Sequence, residues 1–383
     1  MIGPNPLVER MRGFGTTIFA EMSALAVETG SVNLGQGFPD TDGPPELLAA
    51  AQAAIAAGCN QYPPGPGVPE LRRAVAEHQR RFYGLQFDPD AEVLVTAGAT
   101  EGIAATILAL AGAGDEVVMF EPYYDSYAAC VALSGACRRV VTLRRAGQRW
   151  VFEPDELRAA ITPATKLILL NTPHNPTGKV FDLEELRLIA EVAIEHDLIV
   201  VTDEVYEHLV FDGTHLPIAV LPGMRERTVT ISSAGKTFSV TGWKIGWITA
   251  TPGLTAAVRT VKQFLTYVNG APFQPAVAQA LALPEDSFTA ARHSLHEQRD
   301  LFCAGLSELG FDVVAPQATY FATVQLEEDA LRYCQELPRR AGVVAIPSSV
   351  FYDSPAGDRL VRFAFCKRPE VLLEALTRLG RAR

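Results

Sequence analysis

Between about residues 90 and 250, short runs of apolar residues alternate with segments that have a helical pattern. The runs are continuous and rich in β-branched residues, which is typical of strands buried on both faces of a sheet. They lie at residues 93–96, 117–120, 140–143, 167–170, 198–202, 229–231 and 245–248. This alternation predicts an α/β fold with a mainly parallel, seven-stranded sheet flanked by helices.

The segments between these runs carry apolar residues on one face. In residues 183–193, apolar side chains recur at steps of three and four positions, which indicates an amphipathic helix. Asp182 precedes this segment and Glu185 follows three residues later, which is the arrangement of a capping box. We therefore predict a helix that begins directly after Asp182.

The C-terminal hundred residues have a different pattern. Helical patterns at residues 291–309 and 369–379 flank strand-like stretches at 319–324 and 360–365, which predicts a smaller α+β domain. The expected organisation is an N-terminal arm at residues 1–40 that belongs to the small domain, a large α/β domain at 41–283, and the remainder of the small domain at 284–383.

Composition limits the class of protein. The chain has 383 residues, of which 48% are hydrophobic, and its 44 acidic and 33 basic residues give a net charge of −11. An acidic chain without a basic stripe argues against nucleic acid as a partner. No apolar run approaches the ~18 residues of a membrane span, and the first residues lack a signal-peptide core, so we expect a cytoplasmic protein without a membrane partner.

Cysteine and histidine usage supports the same expectation. The six cysteines form no C-x-x-C pair and the seven histidines are scattered. Reduced, mostly buried thiols are the simplest interpretation for a cytoplasmic protein, and no metal site is predicted.

Lys236 lies just past the end of the apolar run at residues 228–231, among small and hydroxyl-bearing residues. This position favours a confined amine, and such an amine can form a Schiff base with an aldehyde cofactor. Taken alone the signal is weak, because surface loops commonly carry lysines.

Other candidate side chains follow other predicted strands, where the carboxyl ends of a parallel sheet gather ligand-binding residues. The turn at residues 98–100 opens a helix whose first N–H groups suit a phosphate. Asn175 lies in a rigid turn with two prolines, and Asp203 ends a buried strand and needs a partner. Lys244 offers a second positive charge. Each feature also has an ordinary interpretation. The turn at residues 98–100 can be a simple strand-to-helix turn, and Asn175 can belong to a surface loop. Asp203 can be a helix N-cap, and Lys244 can be a solvated lysine.

Together these strand ends supply an amine, a carboxylate, an amide donor and an anion cradle. Pyridoxal 5′-phosphate (PLP) requires this set: an amine for its aldehyde, a carboxylate that keeps its ring nitrogen protonated, hydrogen-bond donors for its ring oxygen and a helix terminus for its phosphate. The combination therefore predicts a PLP enzyme.

The motifs that carry these groups resemble the class I/II aminotransferases of PLP fold type I, over nearly the whole chain. They are Asn175-Pro176-Thr177-Gly178, Asp203-Glu204-Val205-Tyr206 and Ser233-x-x-Lys236. Segments 32–40, 60–62, 121–127 and 361–367 are similar to the kynurenine/glutamine/methionine aminotransferase branch. Segments 18–25 and 270–278 are most similar to actinobacterial N-succinyldiaminopimelate aminotransferases of lysine biosynthesis.

The resemblance implies a role for each matching residue. Lys236 is the Schiff-base lysine and the base that moves the substrate proton. The implied cofactor contacts are Gly98, Ala99, Thr100, Ser233 and Lys244 at the phosphate with Tyr62 of the other subunit, Asn175 and Tyr206 at the ring oxygen, Asp203 at the ring nitrogen, and Tyr123 on the ring face. The implied substrate contacts are Arg362 at the α-carboxylate with Gly37 and Asn175 nearby, and Phe19 and Phe351 around the side chain.

Without the resemblance, the aromatic residues would be interpreted as core packing and Arg362 as the partner of a surface acid. The resemblance also implies a homodimer with shared active sites. Its reaction is a ping-pong transfer of an amino group from an amino acid to a 2-oxo acid, with 2-oxoglutarate as the expected acceptor.

Two departures from the kynurenine enzymes bear on the substrate. Thr100 stands where those enzymes usually carry an aromatic residue, and Gly270-Ala271 stands where they place an aromatic–histidine pair. A pocket without these rings is roomier, which weakens kynurenine as the main substrate and is compatible with a long, acidic one such as N-succinyl-diaminopimelate. A broad-specificity aminotransferase and a PLP-dependent C–S β-lyase remain alternatives. A non-catalytic PLP-binding regulator is disfavoured, because no helix-turn-helix pattern precedes residue 40.

Overall fold

Helices and strands alternate through most of the chain in the computed structural model, which describes residues 6–382. The α-helices are α1 (Ile18–Thr29), α2 (Pro45–Ala56), α3 (Pro69–Tyr83), α4 (Gly98–Leu110), α5 (Asp125–Ser134), α6 (Pro154–Ala160), α7 (Leu183–Glu195), α8 (Ala234–Thr237), α9 (Pro252–Lys262), α10 (Phe273–Leu281), α11 (Glu285–Glu308), α12 (Ala330–Ala341) and α13 (Pro369–Arg381). The strands are β1 (Val32–Asn33), β2 (Val93–Ala97), β3 (Glu116–Glu121), β4 (Cys137–Thr142), β5 (Arg144–Ala146), β6 (Arg149–Val151), β7 (Thr165–Asn171), β8 (Ile199–Asp203), β9 (Thr228–Ser233), β10 (Ile245–Thr249), β11 (Asp312–Val314), β12 (Phe321–Gln325), β13 (Val343–Val344), β14 (Ile346–Pro347) and β15 (Leu360–Ala364).

The central sheet has seven strands in the order β2–β10–β9–β8–β7–β3–β4. Strands β9, β8, β7, β3 and β4 are parallel, whereas β10 runs antiparallel to both β2 and β9. Alternate residues of β3 enter different cores: Val118 and Phe120 pack on one face of the sheet, and Val117 and Met119 on the other. Both faces are thus covered, which explains the continuous apolar runs, and the predicted mainly parallel, seven-stranded sheet is confirmed.

One edge of this sheet gathers the functional strand ends. Asn171 at the end of β7 is directly opposite Asp203 at the end of β8. Because β10 is reversed, its first residue, Ile245, is paired with Ala97, the last residue of β2. The start of β10 therefore lies at the same edge as the carboxyl ends of its neighbours, where ligand sites of α/β proteins form.

The predicted start of α7 is also confirmed. Asp182 Oδ1 accepts hydrogen bonds from the backbone N–H groups of Glu184 and Glu185, both at 3.0 Å, and the Glu185 side chain accepts from Asp182 N–H at 3.0 Å. Strand β12 begins later than expected, at Phe321, because Thr319 has a φ of 71° that no regular strand accommodates.

The C-terminal region forms a four-stranded antiparallel sheet in the order β11–β12–β15–β14. Strand β1 pairs in parallel with β13 in a separate two-stranded sheet. Met22 and Leu34 share one hydrophobic core with Val344 and Phe363, and this core also contains Val118 of the central sheet.

Among residues 6–382, no helix combines the length and the apolar character that crossing a membrane requires.

Candidate active site

A cavity of about 260 Å³ opens at the edge of the sheet where the strand ends meet. The ends of β2, β7, β8 and β9 and the start of β10 form one side of it, and α1, the loop after β1 and strand β15 contribute to the other. Most of the residues predicted as a site line this cavity: Phe19, Gly37, Gly98, Ala99, Thr100, Asn175, Asp203, Tyr206, Ser233, Lys236, Lys244 and Arg362.

Lys236 is carried by the short helix α8, directly after β9. Its Nζ donates a hydrogen bond to Tyr320 Oη at 2.7 Å and lies 3.4 Å from the carbonyl oxygen of Gly37. Burial lowers the pKa of Lys236 to about 8, because the charged form loses its hydration. A lysine with this pKa is partly neutral near physiological pH, as a nucleophile or a base must be.

Asp203 is buried at the end of β8, and its neighbours fix its carboxylate. The Tyr127 hydroxyl donates to Oδ2 at 2.7 Å, and the Val205 N–H donates to Oδ1 at 3.3 Å. Asn171 Nδ2 donates to the backbone carbonyl of Asp203 at 2.8 Å. Burial raises the pKa of Asp203, while the hydrogen bond from Tyr127 and the charge of Lys236 oppose that rise. A buried carboxylate of this kind stabilises a cation placed beside it.

The first turn of α4 forms an anion cradle with β10. A Cβ at Gly246 would lie 2.6 Å from the carbonyl carbon of Gly98 and 2.8 Å from the nitrogen of Ala99, so only glycine lets β10 approach the helix this closely. Lys244, with a φ of 54°, places Nζ 3.4 Å from Thr100 Oγ1. The first N–H groups of a helix have no intrahelical partner, and together with Lys244 they suit a phosphate.

Arg362 on β15 is a buried cation, with only 1% of its surface exposed. Its Nη1 donates to Asn175 Oδ1 at 3.0 Å and its Nη2 to the carbonyl of Gly35 at 3.1 Å, while Nε has no partner among residues 6–382. Its guanidinium carbon lies 4.1 Å from the ring centre of Phe321 and 5.0 Å from that of Phe351.

No carboxylate of the described residues lies within ion-pair distance of Arg362. Burial lowers its pKa to about 10, because the charged form loses its hydration. The predicted alternative, an arginine paired with a surface acid, is therefore wrong, and the guanidinium is placed to receive an anion from the cavity.

A buried polar network lies behind the site. Glu207 accepts hydrogen bonds from the hydroxyls of Tyr83 at 2.6 Å and Ser232 at 2.5 Å, and His78 Nε2 and His208 Nε2 are 2.7 Å apart. Ligand atoms of His78, Glu207 and His208 lie within 4.8 Å of one another, but these hydrogen bonds already engage them. The network ties β9 and the segment after β8 to α3.

The structure places Tyr123 outside the cavity, and the ring that lines it is that of the next residue, Tyr124. Tyr123 instead donates its hydroxyl proton to Asp353 Oδ1 at 2.6 Å, and its N–H donates to the carbonyl of Phe351 at 2.9 Å. Arg138 binds the same carboxylate with two hydrogen bonds, at 2.7 and 2.8 Å. Of the two tyrosines, Tyr124 is therefore the one that lines the cavity, and Tyr123 holds the loop that carries Phe351.

Two further predicted residues lie outside the cavity wall. Phe351 is fully buried behind it, with its ring 5.9 Å from that of Phe19. Tyr62 is 82% exposed and lies in a separate surface cavity formed by residues 60–63 and 268–271, with its ring 5.5 Å from that of Tyr267.

The cavity also contains residues that the sequence did not single out. Gln36 and Phe321 line it, as do Asn171 and Tyr127, while Tyr320 contacts Lys236 from behind the wall. Asn171 and Tyr127 lie inside motifs that are visible in the sequence, and their positions at a strand end and one helical turn into α5 could have identified them. Tyr320 has no local signal, because 84 positions separate it from Lys236.

Comparison with known proteins gives consistent matches along the chain. A family model described as Aminotransferase class I and II matches residues 29–379. The solved structure of N-succinyldiaminopimelate aminotransferase from Mycobacterium tuberculosis is 53% identical, covers 98% of this chain and 100% of its own, and superposes with a TM-score of 0.97. Methionine aminotransferase of Escherichia coli is 40% identical over 98% of both chains. Kynurenine–oxoglutarate transaminase 3 of Mus musculus is 37% identical over 95% of this chain and 87% of its own.

The hydrogen bond from Tyr127 to Asp203 gives a first test of the site. Tyr127→Phe leaves a buried carboxylate with one partner fewer, so the free energy of unfolding should fall by about 1.5–3 kcal/mol. Tyr352→Phe is the matched control, because the buried hydroxyl of Tyr352 has no partner among residues 6–382; its effect should stay within about 0.5 kcal/mol. Urea unfolding measures both, and equal losses would contradict the assigned hydrogen bond.

Proposed function

The chain belongs to the class I and II aminotransferase family, and on that basis we propose that it transfers the amino group of N-succinyl-diaminopimelate to 2-oxoglutarate with PLP as cofactor. Family membership and the resemblance to the kynurenine, methionine and N-succinyldiaminopimelate enzymes were predicted from the sequence and are confirmed. The proposed amino donor is that of the 53% identical relative. The proposal is supported by the extent of this similarity, which covers 98% of the chain.

The residues around the cavity fit PLP. Glycine at position 246 lets β10 lie directly against the first turn of α4, and Lys244 adds a positive charge there. Asp203 would hold the protonated ring nitrogen, and Asn175 and Tyr206 the ring oxygen. The donor set therefore matches each polar part of the cofactor, including an amine, Lys236, for its aldehyde.

When bound, PLP supplies an aldehyde that receives the amino group and a ring that withdraws electrons from the substrate Cα. The chain's own groups do the remaining work. Lys236 Nζ, with its pKa of about 8, holds and moves the proton at Cα. Arg362 orients the amino or oxo acid through its α-carboxylate, and Asn175 fixes the guanidinium from the side at 3.0 Å. Because the same two groups act on both substrates, the two half-reactions use one cavity in turn.

The substrate side of the cavity supports a long aliphatic donor. Thr100 lines the wall where a ring would narrow it, and two of the aromatic residues that line the cavity, Phe19 and Phe321, pack around Arg362. Binding of the acceptor requires no additional residue, since 2-oxoglutarate also has an α-carboxylate.

Two exposed aromatic residues support a homodimer. Tyr62 and Phe264 are both 82% exposed, and Tyr267 beside them is 53% exposed. Exposed apolar clusters of this kind mark interaction surfaces, and a two-fold axis would make two such sites equivalent. Since Tyr62 lies outside the Lys236 cavity of its own chain, its predicted contact with a phosphate requires the neighbouring subunit.

A donor panel tests the proposed reaction. N-succinyl-diaminopimelate, kynurenine, glutamine and methionine are each supplied with 2-oxoglutarate, and glutamate formation is followed. We expect the highest kcat/KM for N-succinyl-diaminopimelate and no turnover by Lys236→Ala. A higher value for another donor would reassign the substrate. Pyruvate released from cystathionine without an oxo acid would favour the β-lyase alternative.

Arg362→Lys tests carboxylate binding. Lysine keeps the charge but loses the planar pair of donors, so we expect the KM for both amino and oxo acid to rise about 10- to 100-fold with a smaller change in kcat. Arg359→Lys, on an exposed residue three positions earlier, is the matched control. An unchanged KM in Arg362→Lys would place carboxylate binding elsewhere.

Mixed dimers test the shared site. Tyr62→Ala and Lys236→Ala chains are co-expressed, and the heterodimer is isolated with two affinity tags. If Tyr62 serves the neighbouring site, one of the two sites regains both native residues and activity rises to about half that of the native dimer. Pairing Tyr62→Ala with the Lys236→Ala/Tyr62→Ala double variant is the control, because no native site can form. Equal activity in the two mixtures would show that Tyr62 acts within its own chain or not at all.

A further inference from the structure

Tyr320 links Lys236 to the loop that follows β1. Its hydroxyl donates to the carbonyl oxygen of Gly37 at 2.6 Å, and Lys236 Nζ donates to the same hydroxyl oxygen at 2.7 Å. A phenol has a single proton, and the carbonyl uses it. Toward the lysine, Tyr320 therefore acts only as an acceptor of hydrogen bonds.

The surrounding structure gives this hydroxyl a fixed position. Tyr320 is fully buried, its carbonyl accepts a hydrogen bond from Phe365 N–H at 2.9 Å, and its ring packs edge-on against Tyr206 at 5.3 Å. On the other side of the Tyr320 ring, a Cβ at Gly37 would lie 3.2 Å from the ring, so the loop that contains Gly37 packs tightly against Tyr320. Neither oxygen of the pair can follow the lysine if the lysine moves away.

We propose that Tyr320 is a positioning residue: its hydroxyl and the Gly37 carbonyl form the resting position of the Lys236 amino group whenever that group is not bonded to the cofactor. In an aminotransferase the lysine must be released for the substrate to take its place, and its free amine must then take the proton from Cα. A fixed acceptor pair keeps the released amine beside the reacting atoms and out of the remaining cavity. The inference rests on family membership and is independent of the amino donor proposed above.

The same pair influences the protonation of the lysine. Burial lowers the pKa of Lys236 to about 8, the charges of Cys366 and Asp203 raise it, and those of Arg362 and Lys244 lower it further. Acceptors favour the charged amine, so the Tyr320 oxygen and the Gly37 carbonyl oppose the effect of burial. Removing the hydroxyl should therefore lower the pKa, and the amine should lose its proton at a lower pH.

Competitive labelling of the released lysine tests this directly. The native protein and Tyr320→Phe are loaded with pyridoxamine 5′-phosphate, which leaves Lys236 unbonded, and are treated with cyanate between pH 6 and 10. Mass spectrometry gives the labelling of Lys236 relative to the exposed Lys166, which corrects for the pH dependence of the reagent. We expect the labelling midpoint of Lys236 to fall by about one pH unit in Tyr320→Phe. No amino donor is involved, so the result stands even if the proposed donor is wrong.

A single-turnover measurement tests the positional role. With saturating amino donor, the rate constant for conversion of bound PLP should fall about tenfold or more in Tyr320→Phe, while the donor concentration for half-maximal rate stays the same. Tyr352→Phe, which removes a buried hydroxyl without a partner among residues 6–382, should change neither the labelling midpoint nor the rate constant.

Two outcomes would overturn the proposal: an unchanged midpoint in Tyr320→Phe, or the same midpoint shift in Tyr352→Phe. If Tyr320→Phe does not accumulate as folded protein, 3-fluorotyrosine is placed at position 320 by amber suppression. Its more acidic phenol is a weaker acceptor, so the midpoint should fall by a smaller amount in the same direction. A midpoint identical to that of the native protein would again exclude Tyr320 from the resting position.

Discussion

The uncompensated charge of Arg362 is the constraint around which this end of the molecule is organised. A buried guanidinium loses its hydration, and the described residues return two neutral hydrogen bonds and aromatic faces but no carboxylate within ion-pair distance, although Asp125 acts on it from farther away. Burial of that kind is normally accompanied by a partner ion, because an unpaired charge destabilises the folded state. The loop after β1, the ring stack of Phe19, Phe321 and Phe351, and the turn that carries Asn175 all serve to hold the cation in place. The site therefore gains most from a ligand that brings its own negative charge.

On the opposite side of the cavity, the direction of one strand determines where the charged side chains lie. Asp203 ends β8 and Lys236 follows the adjacent parallel strand β9, while Lys244 directly precedes β10, the one reversed strand of the sheet. Reversal is what allows a cation at the start of a strand to reach the same edge as the carboxylate and amine at the ends of others. A uniformly parallel sheet would place the start of β10 at the far side, about 15 Å away along a five-residue strand. The pattern of charges is thus a property of strand direction as much as of side-chain identity.

How far the sequence predicts this arrangement depends on the range of each contact. The strands could be predicted because burial on both faces makes them continuous apolar runs. The positions of Asp203, Lys236 and Asn175 follow because each lies shortly after the end of such a run. Tyr123 and Tyr124 could not be told apart, since both follow β3 and only the packing of the Asp353 loop decides which ring faces the cavity. Tyr320 was not predictable, because its contact joins the residue directly before β12 to a helix far earlier in the chain.

The position of β15 has a consequence for the order in which the protein is made. Arg362 lies near the end of the chain, and its strand pairs with β12 and β14, whereas Lys236, Asp203 and the first turn of α4 are synthesised much earlier. Domains fold from the N-terminus as they leave the ribosome. When β9 and β10 have been made, β15 has not yet been synthesised. A nascent chain therefore contains the strands whose ends carry Asp203 and Lys236 before the strand that carries Arg362 exists.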